Sequence, residues 1–376
     1  RLYGGQVRNR ERLRLYRLDD DGSVSVRKGQ VTSLKVVGHP DSDRLTPGNI
    51  AEIGGLPAAR VGDRLDPDEL DPTDDGHRFP PPSLETVVRA KHSDQTTDLR
   101  SALVALADQD PLIRTRMLPD GETSLLLYGE VQKEVIAATL EAEYGIEAFF
   151  EPSRTVYFER PRGTGEAADA FTWFGANVAL RVEPGPRGSG IVYRLGTERG
   201  TLREAFHHAL EDAVRRTLEQ GLYGWNVTDC VVTITHARYR TGSVAGDFRN
   251  LGPILVMRAL AAAGTAVYEP CETFELQLPP DTVGTVIAEL VAAEASIVES
   301  AGDGTTWTLR GDIPSRRVQR FRQRLPGLTS GEGAWWGYPE GDRLVVGDPP
   351  VRPRVGSDPL DVEEYLRFLA KRGLPW

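Results

Sequence analysis

Residues 219–230 have the sequence Glu-Gln-Gly-Leu-Tyr-Gly-Trp-Asn-Val-Thr-Asp-Cys and connect a predicted helix to a predicted strand at 230–235. Such a connection normally needs only glycine and small polar residues, yet Tyr223 and Trp225 flank a glycine here. Large aromatic side chains in a loop indicate either a surface that binds a partner or an anchor in the core. Both interpretations remain open at this point.

The helix before this stretch is strongly patterned. Apolar residues recur every four positions, which predicts one buried face; they are Leu202, Phe206, Leu210, Val214 and Leu218. Thr201 and Glu204 have the spacing of a capping box, and Gly221 is predicted to be a left-handed C-cap. A second loop, 236–246, follows the strand and leads to a helix predicted over 247–263.

The composition is that of a soluble protein with several domains. The chain has 376 residues, 39% of them hydrophobic and 27% charged, with a net charge of −10. No apolar run approaches the roughly 20 residues of a membrane span, so no membrane association is expected. Two cysteines, Cys230 and Cys271, fit a reducing cytoplasm rather than a disulfide scaffold. Because Arg1 is not preceded by Met, a segment upstream is expected.

Four divisions are predicted along the chain. Residues 1–72 contain short alternating strands, with a turn at 19–22, and indicate a small β-barrel. A proline-rich linker at 79–82 opens a unit at 79–158 with the order βαββαβ, a turn at 119–121 and its last strand at 147–158. Residues 271–345 repeat that order, with a strand at 274–278. Residues 160–268 form a βαβ-type unit to which 346–376, with a helix at 361–372, return.

Residues that could carry catalysis, metal binding or nucleotide binding do not form a recognised motif. No stretch matches the phosphate-binding P-loop. His207, His208 and Asp212 could be metal ligands on one helix face, but no further ligands stand at motif spacing, so no metal site is predicted. Glu130 and Glu134 are assigned to a solvated helix start. We therefore expect no catalytic residue and no GTPase activity in this chain.

The order of parts resembles elongation factor G and its relatives without their GTPase domain. Residues 45–56 followed by Val61, Gly62 and Asp63 are similar to the end of that family's domain II barrel. Residues 105–111 and 129–134 are similar to domain III, and 156–161 to its exit strand. The resemblance implies a translation-factor barrel (domain II) that is incomplete at its N-terminus, two ferredoxin-like domains (III and V), and domain IV with a C-terminal helix.

Within that superfamily, residues 219–230 are similar to the ribosomal protection proteins that confer tetracycline resistance. The stretches 188–190, 247–249, 263–265 and 309–314 share this similarity. The resemblance implies a cytoplasmic, monomeric GTPase that uses GTP and Mg²⁺ through its upstream domain, binds the bacterial ribosome and dislodges tetracycline. Two alternatives remain: an elongation factor G paralogue in translocation, and an RNA-binding or regulatory module without a GTPase.

The same resemblance assigns two loops of domain IV to the rRNA of the decoding region. The first contributes Tyr223, Trp225 and Asn226, either as rRNA contacts or as loop support. The second is expected to enter the drug site, and its residues are Arg238, Tyr239, Arg240, Thr241, Gly242, Ser243 and Val244. Both loops adjoin the strand at 230–235, so we expect them to lie side by side.

The second loop departs from its relatives at the tip. Arg240-Thr-Gly242 stands where the family commonly has Ser-Pro-Val, so a stiff proline is replaced by a stretch that contains glycine. We therefore expect a less preorganised tip, with phosphate contacts from Arg238 and Arg240 as compensation. A solvated mobile loop is the alternative.

Overall fold

The computed structural model describes residues 1–18, 24–39, 42–60, 63–65, 82–110, 112–118, 122–198 and 200–371. The turns predicted at 19–22 and 119–121, most of the linker at 79–82, and the pair Val61-Gly62 lie outside these residues. The chain divides into two compact units, Arg1–Phe79 with Ser101–Ile113 and Pro80–Arg100 with Arg114–Trp376.

The first unit contains seven described strands. They are β1 (Val7–Arg8), β2 (Arg12–Leu18), β3 (Val24–Gln30), β4 (Ser33–Val36), β5 (Arg44–Leu45), β6 (Ala51–Gly54) and β7 (Arg64–Leu65). They pair antiparallel as β1–β5, as β4–β6, and as β3–β2–β7. Successive side chains of a strand point to opposite faces of the sheet, so every second side chain can face the interior. The buried core of this unit consists of Val7, Leu13, Val31, Val36 and Leu45.

The second unit begins with the βαββαβ segment that the sequence predicts. Its elements are β8 (Leu84–Ala90), a 3₁₀ turn (Ser93–Gln95), α1 (Thr96–Gln109), β9 (Arg114–Met117), β10 (Thr123–Leu127), α2 (Val131–Tyr144), β11 (Ala148–Phe150) and β12 (Arg154–Thr155). From Ser101 onward, α1 groups with the first unit. The strand order is β11-β8-β10-β9, and β12 also pairs with β8. The single strand predicted at 147–158 is wrong: it breaks at Pro152, which cannot donate to a ladder.

The next eight elements comprise a four-stranded sheet, the two helices that cover it, and two short strands that belong to the following sheet. They are β13 (Phe158–Pro161), β14 (Gly165–Ala170), β15 (Ala176–Pro184), β16 (Ile191–Leu195), α3 (Glu204–Leu218), β17 (Asn226–Val227), β18 (Cys230–Tyr239) and α4 (Ala245–Ala263). The sheet order is β14-β15-β18-β16, with β16 parallel to β18. The apolar face of α3 joins Phe248 and Leu251 of α4 in one core.

The capping box predicted for α3 is wrong. The helix begins at Glu204, and Arg203 at the N-cap makes no side-chain cap. Thr201 instead donates its hydroxyl to the carbonyl of Glu198 at 2.7 Å. The Thr201 hydroxyl is therefore bonded within a local turn and does not cap the helix, although its spacing from Glu204 predicted a cap.

The last part is built on one long strand. Its elements are β19 (Thr265–Leu278), a 3₁₀ turn (Pro280–Thr282), α5 (Val283–Ala292), β20 (Ser296–Gly302), β21 (Trp307–Pro314), α6 (Ser315–Leu328), β22 (Ala334–Leu344) and α7 (Val362–Lys371). The strand predicted at 274–278 is only the end of β19, which pairs with β13 at its start and with β21 and β22 farther on. The predicted gap between 268 and 271 falls inside this strand.

The C-terminal helix returns to the sheet of β14, β15, β16 and β18. Tyr365 and Leu369 of α7 are buried in the same core as α3 and α4. α7 therefore packs into this core. Within the described ranges, every helix is too short or too polar to span a membrane.

Candidate functional site

The two predicted loops leave β18 at its opposite ends. The first, residues 220–229, is called the junction loop, and the second, residues 240–244, is called the tip loop. β18 has 10 residues, so its ends lie about 30 Å apart at roughly 3.3 Å per residue. The prediction that the loops lie side by side is therefore wrong, because they flank one strand rather than one edge of the sheet.

The junction loop folds around the carboxylate of Glu159, which is fully buried. Its Oε1 accepts from the backbone amides of Tyr223 at 2.8 Å and Trp225 at 3.1 Å. Its Oε2 accepts from the amide of Leu222 at 2.8 Å and from the hydroxyl of Thr265 at 2.7 Å. Burial raises the pKa of Glu159, and these bonds oppose the rise. One carboxylate thus satisfies three amides that the loop could not satisfy by itself.

Two glycines allow the close approaches in this loop. A Cβ at Gly221 would lie 2.6 Å from the carboxyl carbon of Glu159. Gly221 has no positive φ and the C-cap of α3 is Glu219, so its predicted role as a left-handed C-cap is wrong. Gly224 has a φ of +81°, and a Cβ there would lie 2.0 Å from the carbonyl oxygen of Arg352. Both positions are closed to larger residues for steric reasons.

The segment from 350 to 355 covers the other side of the junction loop. The indole of Trp225 donates to the carbonyl of Pro350 at 2.7 Å, and its ring lies 5.1 Å from that of Tyr157. The amide of Arg352 donates to the carbonyl of Tyr223 at 2.8 Å. Trp225 is therefore half-buried and bonded rather than presented to a partner.

Ion pairs connect the junction loop to two sheets. Arg352 pairs with Glu85 of β8 at 3.1 Å. Arg160 of β13 pairs with Asp229 at 2.7 Å and with Asp342 of β22 at 2.6 Å. The junction loop is thus the place where the βαββαβ sheet, the β18 sheet and the β19 sheet are held together.

The tip loop is open to solvent. Arg240, Thr241, Gly242 and Val244 are exposed, and so is Arg238, which the sequence assigned to this loop but which lies in β18. Gly242 has a φ of +97°, and no atom lies within 4 Å of the place where a Cβ would stand. Tyr239, at the end of the strand, is half-buried, and its ring meets that of Phe206 edge to face at 5.3 Å.

Despite its glycine, the tip loop is held by defined bonds. The hydroxyl of Ser243 accepts from the amide of Arg240 at 2.9 Å and donates to the carbonyl of Gly175. The amide of Ser243 donates to the carbonyl of Arg240 at 3.1 Å. The next residue, Val244, donates its amide to Asp247 at 2.9 Å. Ser243 therefore connects the tip loop to the β14–β15 turn.

The side chain of Arg240 lies over an aromatic ring. Its guanidinium carbon lies 4.1 Å from the ring centroid of Phe171, within the range of a cation–π contact. Phe171 itself has a φ of +62°, which few non-glycine residues adopt. Arg203 makes a second such contact with Tyr239 at 5.3 Å. These contacts hold two arginines at one end of the sheet.

Both cysteines are free and buried. Burial raises the pKa of Cys230 and of Cys271 to about 12. Their thiols therefore stay protonated near neutral pH and are unsuited to nucleophilic attack.

Sequence reasoning missed the residues that hold the loops. Glu159 follows the apolar residues Val156, Tyr157 and Phe158 in a predicted strand, where a carboxylate is costly unless it is bonded, and this was the available signal. Phe171 belongs to an aromatic cluster with Trp173 and Phe174 that was also visible. Arg352 lies far away along the chain, and no local pattern connects it with residue 224.

Comparisons with known proteins agree with this architecture. The model of elongation factor G, domain IV, matches residues 169–264, and the model of the elongation factor G C-terminus matches residues 266–350. A crystal structure of a Thermus thermophilus protein covers 99% of this chain and 54% of its own, with a TM-score of 0.53 and 18% identity. At that identity, the likeness concerns the fold.

Curated relatives are similar along most of the chain. Tetracycline resistance protein TetM of Streptomyces lividans is 48% identical over 91% of this chain and 54% of its own length. The oxytetracycline resistance protein of Streptomyces rimosus is 40% identical over 99% of this chain and 58% of its own length. Tetracycline resistance protein TetP of Clostridium perfringens is 30% identical over 97% of this chain and 56% of its own length. The chain therefore spans somewhat more than half the length of these relatives, and it belongs to the elongation factor G-like family of tetracycline resistance proteins.

Proposed function

We propose that the whole protein protects the bacterial ribosome from tetracycline and that the tip loop is the part that reaches the drug site. The similarity to tetracycline resistance proteins over nearly the whole chain supports this function. The domain IV and C-terminal matches to elongation factor G support binding to the ribosome.

The observation that carries the proposal is the exposed and preformed tip loop. Arg238 and Arg240 are two exposed cations separated by one residue along the chain, and guanidinium groups suit rRNA phosphates and bases. Val244 presents a side chain that is 55% exposed and apolar. Since Ser243 and Phe171 fix Arg240 before binding, less conformational entropy is lost on contact.

For the junction loop we propose the supporting role. Trp225 and Tyr223 are half-buried and tied to residues 350 and 352, whereas the exposed Asn226 is the residue left for an rRNA contact. The bonds around Glu159 then fix the base of the sheet whose far end carries the tip loop.

The proposal for the whole protein includes GTP hydrolysis with Mg²⁺ by a nucleotide-binding part, which drives dissociation after the drug is released. It also includes a cytoplasmic location and action as a monomer. No residue of this chain is assigned to nucleotide binding or to hydrolysis.

The test measures drug retention on bacterial ribosomes. Ribosomes loaded with labelled tetracycline are incubated with the full-length protein and GTP, and the drug that they retain on a filter is counted. We expect loss of the drug with the native protein, and retention with an Arg240→Ala/Val244→Ala variant that still binds ribosomes.

Two outcomes would contradict the proposal. Full retention with the native protein, together with GTP-dependent translocation in a factor-depleted assay, would identify a translocation paralogue. Unchanged release of tetracycline by the Arg240→Ala/Val244→Ala variant would show that the tip loop does not act at the drug site. Thr235→Ala, an exposed change in the middle of β18, is the control for nonspecific damage.

A further inference from the structure

Three potential metal ligands meet on the exposed side of α3. His207, His208 and Glu211 each offer one ligand atom, and these atoms all lie within 4.8 Å of one another. His207 and Glu211 stand at i and i+4, and His208 and Glu211 at i and i+3, so each histidine neighbours the carboxylate on the helix surface. Asp212, which the sequence suggested, is not part of the cluster.

The carboxylate of this cluster is held in place by its neighbours. Nε and one terminal nitrogen of Arg215 donate to Oε1 of Glu211 at 3.1 and 2.9 Å. Arg215 also donates to the carbonyl of Ile191 in β16 at 3.1 Å, which ties it to the sheet. Both bonds to Glu211 end on Oε1, so Oε2 is the oxygen that can take a cation. Ligating carboxylates in metalloproteins are commonly oriented by such outer bonds.

Tyr193 of β16 packs beside the cluster. Its ring lies edge to face with that of His207, with centroids 5.4 Å apart. Its hydroxyl is buried and has no hydrogen-bond partner among the described residues. The ring of Tyr193 therefore restricts the positions that the His207 imidazole can take.

We propose that His207, His208 and Glu211 bind a divalent transition-metal ion of the Zn²⁺ or Ni²⁺ class, with water completing the coordination. Two imidazoles and one carboxylate are a donor set that Zn²⁺ uses in proteins, whereas Mg²⁺ and Ca²⁺ prefer oxygen. Ligand atoms of a tetrahedral zinc site lie about 3.4 Å apart, since Zn–N bonds are about 2.0–2.1 Å. Rotation of the exposed His208 side chain can close the remaining distance. The positive charge of Arg215 limits the affinity, so we expect micromolar binding.

The test is calorimetric titration of the chain with Zn²⁺ after chelator treatment and dialysis. We expect one Zn²⁺ per chain in the micromolar range, and a loss of about tenfold or more in affinity for His207→Asn and for Glu211→Gln. Asp212→Asn, the adjacent carboxylate, is the matched control and should bind like the native chain. Circular dichroism confirms that each variant is folded.

Three results would overturn the site. One is the absence of heat and of a thermal shift at Zn²⁺ concentrations well above micromolar. Another is unchanged binding by both His207→Asn and Glu211→Gln, which would locate the ion elsewhere. The third is equal loss in Asp212→Asn and Glu211→Gln, which would indicate nonspecific charge attraction. None of these measurements involves the ribosome, so the proposed function stands or fails separately.

Discussion

The junction loop and the tip loop leave the two ends of β18, and they are held in contrasting ways. The junction loop is enclosed: a buried carboxylate, two sterically required glycines and residues 350–355 fix its backbone. The tip loop is open, and one hydroxyl and one aromatic ring fix it from the side. The loop richer in aromatic residues is the anchor, whereas the loop richer in exposed arginine is the one suited to a partner.

The largest effect is expected from Glu159→Ala. It leaves three buried amides and the hydroxyl of Thr265 without their acceptor, which should cost at least about 3 kcal/mol of unfolding free energy. All six tryptophans belong to the second unit, so urea unfolding followed by tryptophan fluorescence reports on it. Glu166→Ala, at an exposed carboxylate, is the control. A loss below about 1 kcal/mol would show that the junction loop does not depend on this carboxylate.

The same substitution at two glycines compares the loops directly. Gly224→Ala forces a Cβ against the carbonyl of Arg352 at a positive φ and should cost about 3 kcal/mol. Gly242→Ala has a positive φ but open space, so backbone strain alone should cost about 1 kcal/mol. Urea unfolding of both variants gives the difference. Equal losses would mean that enclosure does not distinguish the loops.

A smaller effect is expected from Ser243→Ala in the tip loop. The variant loses the acceptor for the amide of Arg240 and the donor to Gly175, a local loss of about 1 kcal/mol, or roughly fivefold in opening. Amide hydrogen exchange at Arg240 should accelerate accordingly. Thr241→Ala, exposed in the same loop, is the control. Unchanged exchange at Arg240 would support the solvated, mobile loop that the sequence left open.

Removing the ring beneath Arg240 should have a weaker effect on stability. Phe171→Leu loses a cation–π contact of about 0.5–1 kcal/mol and frees the guanidinium. If the proposed function holds, tetracycline release by the full-length protein should slow by roughly twofold to fivefold. Phe149→Leu, at an exposed phenylalanine of β11, is the matched control. Release at the native rate would show that the Phe171 ring does not help to position the tip loop for drug release.

The smallest expected effect is the pH dependence that Glu159 in the junction loop adds to the free energy of unfolding. Burial raises the pKa of Glu159 above its ordinary value of 4.5, so the folded chain binds more protons than the unfolded chain between these two pKa values. Its contribution to stability is therefore largest at or below pH 4.5 and declines as the pH rises through that interval. Urea midpoints of the native chain should fall relative to those of Glu159→Gln as the pH is raised. The opposite trend would show that the hydrogen bonds outweigh burial.

Several elements of the fold follow from local pattern. The βαββαβ order and the buried face of α3 follow from periodicity and turn residues, since each depends on neighbours along the chain. The predicted capping box was wrong because Thr201 uses its hydroxyl in a local turn with Glu198, and the predicted C-cap was wrong because Gly221 packs against Glu159, a non-local partner. The length of β18 was underestimated, and with it the separation of the loops.

By itself, the sequence determined the order of the parts, their resemblance to the elongation factor G-like family, and the residues that make up both loops. Periodicity, turn chemistry and local motifs are properties of neighbouring residues, so they can be seen without a structure. The tertiary structure decided which loop is enclosed and which is open, because that depends on Glu159, Phe171 and Arg352 arriving from distant elements. It also decided that Glu211, rather than Asp212, stands beside the two histidines, because helix geometry and the neighbouring β16 select one carboxylate of an adjacent pair.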